Sequence, residues 1–210
     1  MAATTPAPAG MRYLALGDSY TIGEGVDPAG RWPVQLATAL RGEGIPLRDP
    51  RIIATTGWTT DELSSAIDAA EPLGHWDLVS LLIGVNNQYR GRSVADYKSE
   101  FTRLLERATG FANGRRDRVI VLSIPDWGVT PFGVHETSNG SRGPVSSEID
   151  AFNATAREVC EARGVVFVDV TPASRAGAQQ VAEDGLHPSA DMYTQWTQLA
   201  LPVARGLLAR

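Results

Sequence analysis

The chain is 210 residues long, 43% hydrophobic and 20% charged, which suits one domain that can bury a core without disulfides or a structural metal. Its formal charge of −5 and the lack of any basic block exclude a protein that grips nucleic acid through its phosphates. A single cysteine, Cys160, excludes an internal disulfide and a cysteine-built zinc site.

The first ten residues, MAATTPAPAG, hold neither a basic start nor an apolar run. They read as a mobile leader over residues 1–10 rather than a secretory signal, with residues 11–210 as a single domain in the cytoplasm. No run approaches the ~20 apolar residues of a membrane span, so integral membrane association is not expected.

Met11–Leu16 (MRYLAL) reads as a buried strand and Trp32–Leu40 as a helix. Arg51–Ala54 (RIIA) is a short second strand. Thr59 followed by Glu62 makes a capping-box pattern, after which Leu63, Ala66, Ile67 and Ala70 recur at helical spacing. Asp77–Ile83 (DLVSLLI) is the third strand. Ser93 is placed as the N-cap of a helix whose apolar face runs through Val94, Tyr97, Phe101, Leu104, Leu105 and Ala108. Arg118–Ile124 (RVIVLSI) is the fourth strand, and Pro125–Pro144, with Gly and Pro throughout, reads as a long loop bordering a cleft. Ile149, Phe152, Ala156, Val159 and Cys160 mark the next helix, which Gly164 ends. Val165–Val170 is the fifth strand, and Met192–Leu208 is a closing helix that Pro202 kinks or splits.

Near-continuous apolar strands alternating with helices imply a parallel sheet covered on both faces. The expected fold is α/β: a three-layer α/β/α sandwich of the flavodoxin-like kind, with a five-stranded parallel sheet. Ligands of such sheets bind beyond the carboxyl ends of the strands.

Four segments stand out there. Gly17-Asp18-Ser19-Tyr20 follows the first strand, Thr56-Gly57-Trp58-Thr59-Thr60 the second, and Gly84-Val85-Asn86-Asn87 the third, while Asp184-Gly185-Leu186-His187-Pro188 lies near the C-terminus. A serine hydroxyl attacks an ester only when a base takes its proton. A histidine whose far nitrogen is held by a carboxylate can be that base, and N–H donors can stabilise the oxyanion that forms. Singly each segment is ordinary: a turn serine, a loop glycine, an asparagine turn, a surface histidine. Together they are not. His75, before the third strand, reads as structural, and His135 as a solvated loop residue. Gly23-Glu24-Gly25 lacks the Lys-Ser/Thr of a phosphate loop. An acidic Asp18 after the first strand also speaks against a nucleotide site. Cys160, on an apolar helix face, is expected to be buried and inert.

In this order the four segments resemble the SGNH hydrolases, also called the GDSL esterases and lipases, from about Arg12 to about Thr197. The resemblance implies that Ser19 is the nucleophile, His187 the general base and Asp184 the residue that orients it. It implies oxyanion donors at the Ser19 amide, the Gly57 amide and the Asn86 side chain, with no metal and no organic cofactor. The implied activity is hydrolysis of a small-molecule ester through a covalent acyl-enzyme, by a small carboxylesterase of the lysophospholipase or thioesterase sort. A carbohydrate O-acetyl esterase is the alternative. A catalytically silent binding module is the alternative of another class. One departure is visible: Asn87 stands where the family often has aspartate. Tyr20, Trp58, Gln88, Tyr89 and Trp127, all beside strand ends, are expected to contact substrate.

Overall fold

A computed structural model describes residues 10–138 and 145–209. The expected leader, apart from Gly10, lies outside these residues. Five strands, β1 (Tyr13–Gly17), β2 (Arg51–Ala54), β3 (Leu78–Leu82), β4 (Val119–Leu122) and β5 (Val166–Val168), form one parallel sheet in the order β2-β1-β3-β4-β5. Every residue of β1, β3 and β4 is buried, as strands covered on both faces must be.

Short helices α1 (Ser19–Ile22) and α4 (Val85–Tyr89) sit at the ends of β1 and β3. The long crossovers are α2 (Trp32–Gly42), α3 (Thr60–Ala70), α5 (Val94–Phe111) and α7 (Val145–Arg163), with α6 (Pro131–Ser138) preceding α7 in the β4–β5 connection. After β5 come α8 (Thr171–Ala176) and α9 (Ala190–Leu208). The chain leaves β1 toward β2 and then returns past it to β3. Right-handed crossovers therefore place α2 on one face and α3, α5 and α7 on the other. The packing agrees: α2 lies on α9, and α5 lies against α3 and α7. Gly17 pairs with Ala54 on one side and Leu82 on the other, so β1, β2 and β3 end nearly level. The reversal of strand order at β1 opens a crevice there.

The helix starts follow their caps. The Thr59 amide donates to the Glu62 carboxylate at 2.8 Å, completing the capping box, and Ser93 Oγ accepts from the Asp96 amide at 3.0 Å. Helix α9 begins at Ala190 behind its N-cap Ser189 and runs unbroken through Pro202. Proline removes one helical hydrogen bond, but Trp196, Ala200, Ala204 and Leu208 keep a continuous buried face across it.

The strands are shorter than the apolar runs. Met11 makes only an isolated bridge to Leu47. The Ile124 amide leaves the ladder for Asn153 Oδ1 at 2.8 Å, and the Val170 amide for Ser123 Oγ at 2.8 Å. The expected loop over residues 125–144 is corrected in its described part, which holds a 3-10 turn (Trp127–Val129) and α6. Thr130 Oγ1 accepts from the Gly133 amide at 3.1 Å with Pro131 in the first helical position, a start signal that the Gly/Pro content obscured. Residues 139–144 of that segment lie outside the described residues. Among the described residues, no helix is long and apolar enough to cross a membrane.

Candidate active site

Ser19 owes its position to two neighbours. A Cβ on Gly17 would lie 2.2 Å from Thr21 Oγ1 and 2.4 Å from the Leu82 carbonyl, so only glycine lets β1, β3 and the α1 turn close on each other. Asp18 then caps α1, its Oδ1 accepting from the Tyr20 amide at 3.1 Å. Ser19 occupies the first helical position and is 4% exposed.

Asp18 is fully buried, and burial pushes its carboxyl up to about 7 against the lowering effect of the Tyr20, Asp18 and Gly84 amides. An unfolded aspartate titrates near 3.9. The folded state therefore holds this proton more tightly, and Asp18 lowers stability progressively as pH rises from about 4 to about 7. Asp18→Asn keeps the acceptor for Tyr20 and removes the charge. Relative to wild type it is expected to gain roughly 2–3 kcal/mol between pH 5 and pH 8.5. Urea unfolding at the two pH values measures this. A stability difference that is the same at both pH values would rule out ionisation of Asp18 in that range.

Gly57 follows β2 at φ +88°, a left-handed conformation that asks for glycine although the nearest atom to an added Cβ would be 3.9 Å away. Its carbonyl accepts from Arg90 Nη2 at 2.7 Å. Asn86, on α4, donates from Nδ2 to the Trp58 carbonyl at 2.9 Å, which fixes its amide and ties the β3 loop to the β2 loop. Among the described residues, the Ser19 and Gly57 amides have no acceptor, so both remain available as donors.

Asn87 faces the other way and is fully buried. Its Oδ1 accepts from the Thr60 amide at 3.0 Å, and its Nδ2 donates to Thr60 Oγ1 at 2.6 Å and reaches Glu100 Oε2 at 3.4 Å. Thr60 Oγ1 also bonds to Glu100. An aspartate at 87 would set two carboxylates against each other here, whereas the asparagine amide donates to Glu100. The departure at this position thus has a local partner, and it leaves Asn86 in place.

The last segment is a tight loop. Val181 bridges Pro188, and the Ala182 amide bonds to the His187 carbonyl at 2.7 Å. Asp184 Oδ1 accepts from the amides of Leu186 and His187, each at 2.9 Å, and its Oδ2 meets His187 Nδ1 at 2.5 Å. Burial pushes the Asp184 carboxyl up, but the His187 hydrogen bond and the two amides outweigh it and hold it below the usual range. With Nδ1 engaged, Nε2 is the nitrogen left for proton transfer. The Tyr20 ring lies 5.8 Å from the imidazole.

These loops form an open-mouthed cavity of about 170 Å³, and Ser19, Gly57, Asn86 and His187 all line it. Tyr20, Tyr89 and Trp127 line it as well. Trp58 and Gln88, expected to contact substrate, do not. Trp58 packs against the core and contributes its carbonyl to Asn86, while Gln88 is buried behind the cavity, 2% exposed. Val85, Phe132 and Leu186 complete an apolar wall that sequence reading did not find. Phe132 comes from α6, in the segment read as loop. Ser19 and His187 share the cavity without a direct hydrogen bond between them. His75 lies at the far end of the sheet beside Trp76 and Asp77, and His135 is exposed on α6. Cys160 is buried, and burial pushes its thiol up to about 12, out of reach of nucleophilic use near neutral pH. Among the described residues, no group of three His, Cys, Asp or Glu side chains is placed to hold a metal ion.

The sequence pattern of the GDSL-like lipase/acylhydrolase family matches residues 15–195. The chain belongs to this family. It is an SGNH-type esterase, with the five-stranded α/β/α sandwich of that fold. Solved structures similar to it include TesA (22% identity over 94% of this chain and 99% of that one, TM-score 0.73). A lipase/acylhydrolase from Enterococcus faecalis is similar at 22% identity, over 93% and 96% of the two chains, with TM-score 0.70. The acetyl xylan esterase Axe2 from Geobacillus stearothermophilus, as its W215I variant, is similar at 17% identity, over 93% and 94%, with TM-score 0.71. No curated protein matches the chain in sequence.

Proposed function

We propose that this esterase hydrolyses small, uncharged esters of short acyl chains, through an acyl-enzyme on Ser19. The observation that carries the proposal is the single cavity lined by Ser19, Gly57, Asn86 and His187, with Asp184 bonded to the far nitrogen of that histidine. As substrate enters, the Ser19 hydroxyl closes on His187, a contact that such sites tighten in the reacting complex. Ser19 Oγ attacks the ester carbonyl and its proton passes to His187 Nε2. The tetrahedral oxyanion lies against the Ser19 and Gly57 amides and the Asn86 amide. His187 returns the proton to the departing alcohol. Water then attacks the acyl-enzyme by the same route, releasing the acid and restoring Ser19.

The size of the cavity supports the short acyl chain. A protein cavity of about 150 Å³ takes a benzene ring, so about 170 Å³ suits a group of about six carbons. The alternative substrate is an acetylated carbohydrate. It is favoured by Tyr89, 42% exposed at the cavity edge, whose ring offers a flat face to a sugar leaving group.

A p-nitrophenyl ester series from C2 to C16, with an acetylated xylo-oligosaccharide beside it, tests this reading. The expected kcat/KM peaks between C2 and C6 and falls more than about tenfold by C10, and Ser19→Ala shows only background hydrolysis. A maximum at C12 or beyond would contradict the short chain. Equal rates in wild type and Ser19→Ala would leave only a silent binding module.

A further inference from the structure

We propose that Gln88 and Glu148 set the acyl-length preference of the site by holding Trp127 as its wall, an inference that rests on the esterase reading of the same cavity. Gln88 is buried and does not itself line the cavity. Its side-chain carbonyl accepts from Trp127 Nε1 at 2.9 Å, and its Nε2 donates to Glu148 Oε2 at 2.6 Å. The two contacts demand opposite ends of one amide. A flipped Gln88 would point N–H at the indole N–H and carbonyl oxygen at the carboxylate, and both pairs repel. Glu148 therefore fixes the orientation of Gln88, and Gln88 fixes the indole.

Trp127 is 2% exposed and packs on two other aromatics of the cavity, its ring 5.5 Å from that of Tyr89 and 6.2 Å from that of Phe132. Gln88 and Glu148 also line, with Arg92 and Phe152, a separate solvent-open cavity of about 370 Å³. With the indole held, an acyl chain ends at Trp127. With it released, the ring is free to tilt and a longer chain can be accommodated. Glu148 is exposed on the first turn of α7, so a surface carboxylate acts on the pocket through one buried amide. Gln88 and Glu148 are positioning residues: neither touches the reacting atoms.

The test is the ratio of kcat/KM for C8 and C2 p-nitrophenyl esters. Gln88→Leu and Glu148→Ala are each expected to raise the C8:C2 ratio roughly tenfold, the scale set by a buried N–H left without a partner. Gln88→Glu alone, with two carboxylates in contact, is expected to do the same. Gln88→Glu combined with Glu148→Gln restores an acceptor for the indole and a donor for residue 88, and is expected to return the ratio to within threefold of wild type. A merely structural role would slow all chain lengths alike. Because Glu148 is exposed, Glu148→Ala remains informative even where Gln88→Leu does not fold. A wild-type ratio in Glu148→Ala, or no recovery in the double variant, would overturn the proposal. A second readout is independent of turnover: the Trp127 indole N–H proton resonance, assigned with Trp127→Phe, should move upfield in Glu148→Ala and return in the double variant. An indole signal unchanged by Glu148→Ala overturns the strut whatever the activity. Loss of all ester turnover in wild type would instead overturn the esterase reading.

Discussion

Replacing His187 with alanine is expected to lower kcat for a short p-nitrophenyl ester by about four orders of magnitude or more, with KM changed only a few-fold. Three features of the structure lead to that expectation. His187 is the histidine that lines the cavity with Ser19. Its Nδ1 is held at 2.5 Å by Asp184, which leaves Nε2 toward the chemistry. Asp184 is itself fixed by two amides of the same loop, so the pair is preorganised before substrate arrives. Asp184 is held below the usual carboxylate range and stays ionised through mildly acidic pH, so it keeps orienting His187 there. Steady-state kinetics with a melting curve as folding control make the measurement. A His187→Ala enzyme within tenfold of wild type would mean that another group is the base.

Asn86→Ala is expected to cost about 10²–10³ in kcat, the usual scale for one lost oxyanion donor in a water-poor site. The Asn86 amide is held by the Trp58 carbonyl at 2.9 Å, so the donor has its direction set in advance. Part of the loss in Asn86→Ala therefore comes from slack between the β2 and β3 loops. Asn86→Asp nearly keeps the side-chain shape but loses the same donor and the same tie to the Trp58 carbonyl, and adds a charge beside the developing oxyanion. It is expected to be slower still. Parallel kcat and KM measurements on both variants decide the matter. An Asn86→Ala enzyme within threefold of wild type would remove Asn86 from the oxyanion hole.

What the sequence disclosed depended on how local the signal was. Helices α3 and α5 were legible because their caps, Thr59 with Glu62 and Ser93, stand directly before strongly periodic apolar faces. Helix α6 was not, because its apolar residues mark no face and its Thr130-Pro131 start is buried in turn-forming residues. The segments around Ser19, Gly57, Asn86 and His187 were readable as motifs, and the level ends of β1, β2 and β3 explain why the first three come together. The lining of the cavity was read less well. Gln88 and Tyr89 are neighbours in sequence, but on a helix adjacent side chains point about 100° apart. Asn86 and Tyr89, three apart on α4, line the cavity, while Asn87 and Gln88 turn into the protein. Phe132 and Leu186 reach the cavity from segments distant in the chain, which no local pattern reports.

Covalent labelling distinguishes a Ser19 nucleophile activated by His187 from a serine that only lines the cavity. The enzyme would be incubated with a serine-directed ethyl phosphonate, digested, and mapped by mass spectrometry. One adduct per chain is expected, on Ser19, formed far more slowly in His187→Ala and absent from Ser19→Ala. Labelling at another serine, or equal labelling of Ser19 with and without His187, would contradict a Ser19 nucleophile activated by His187.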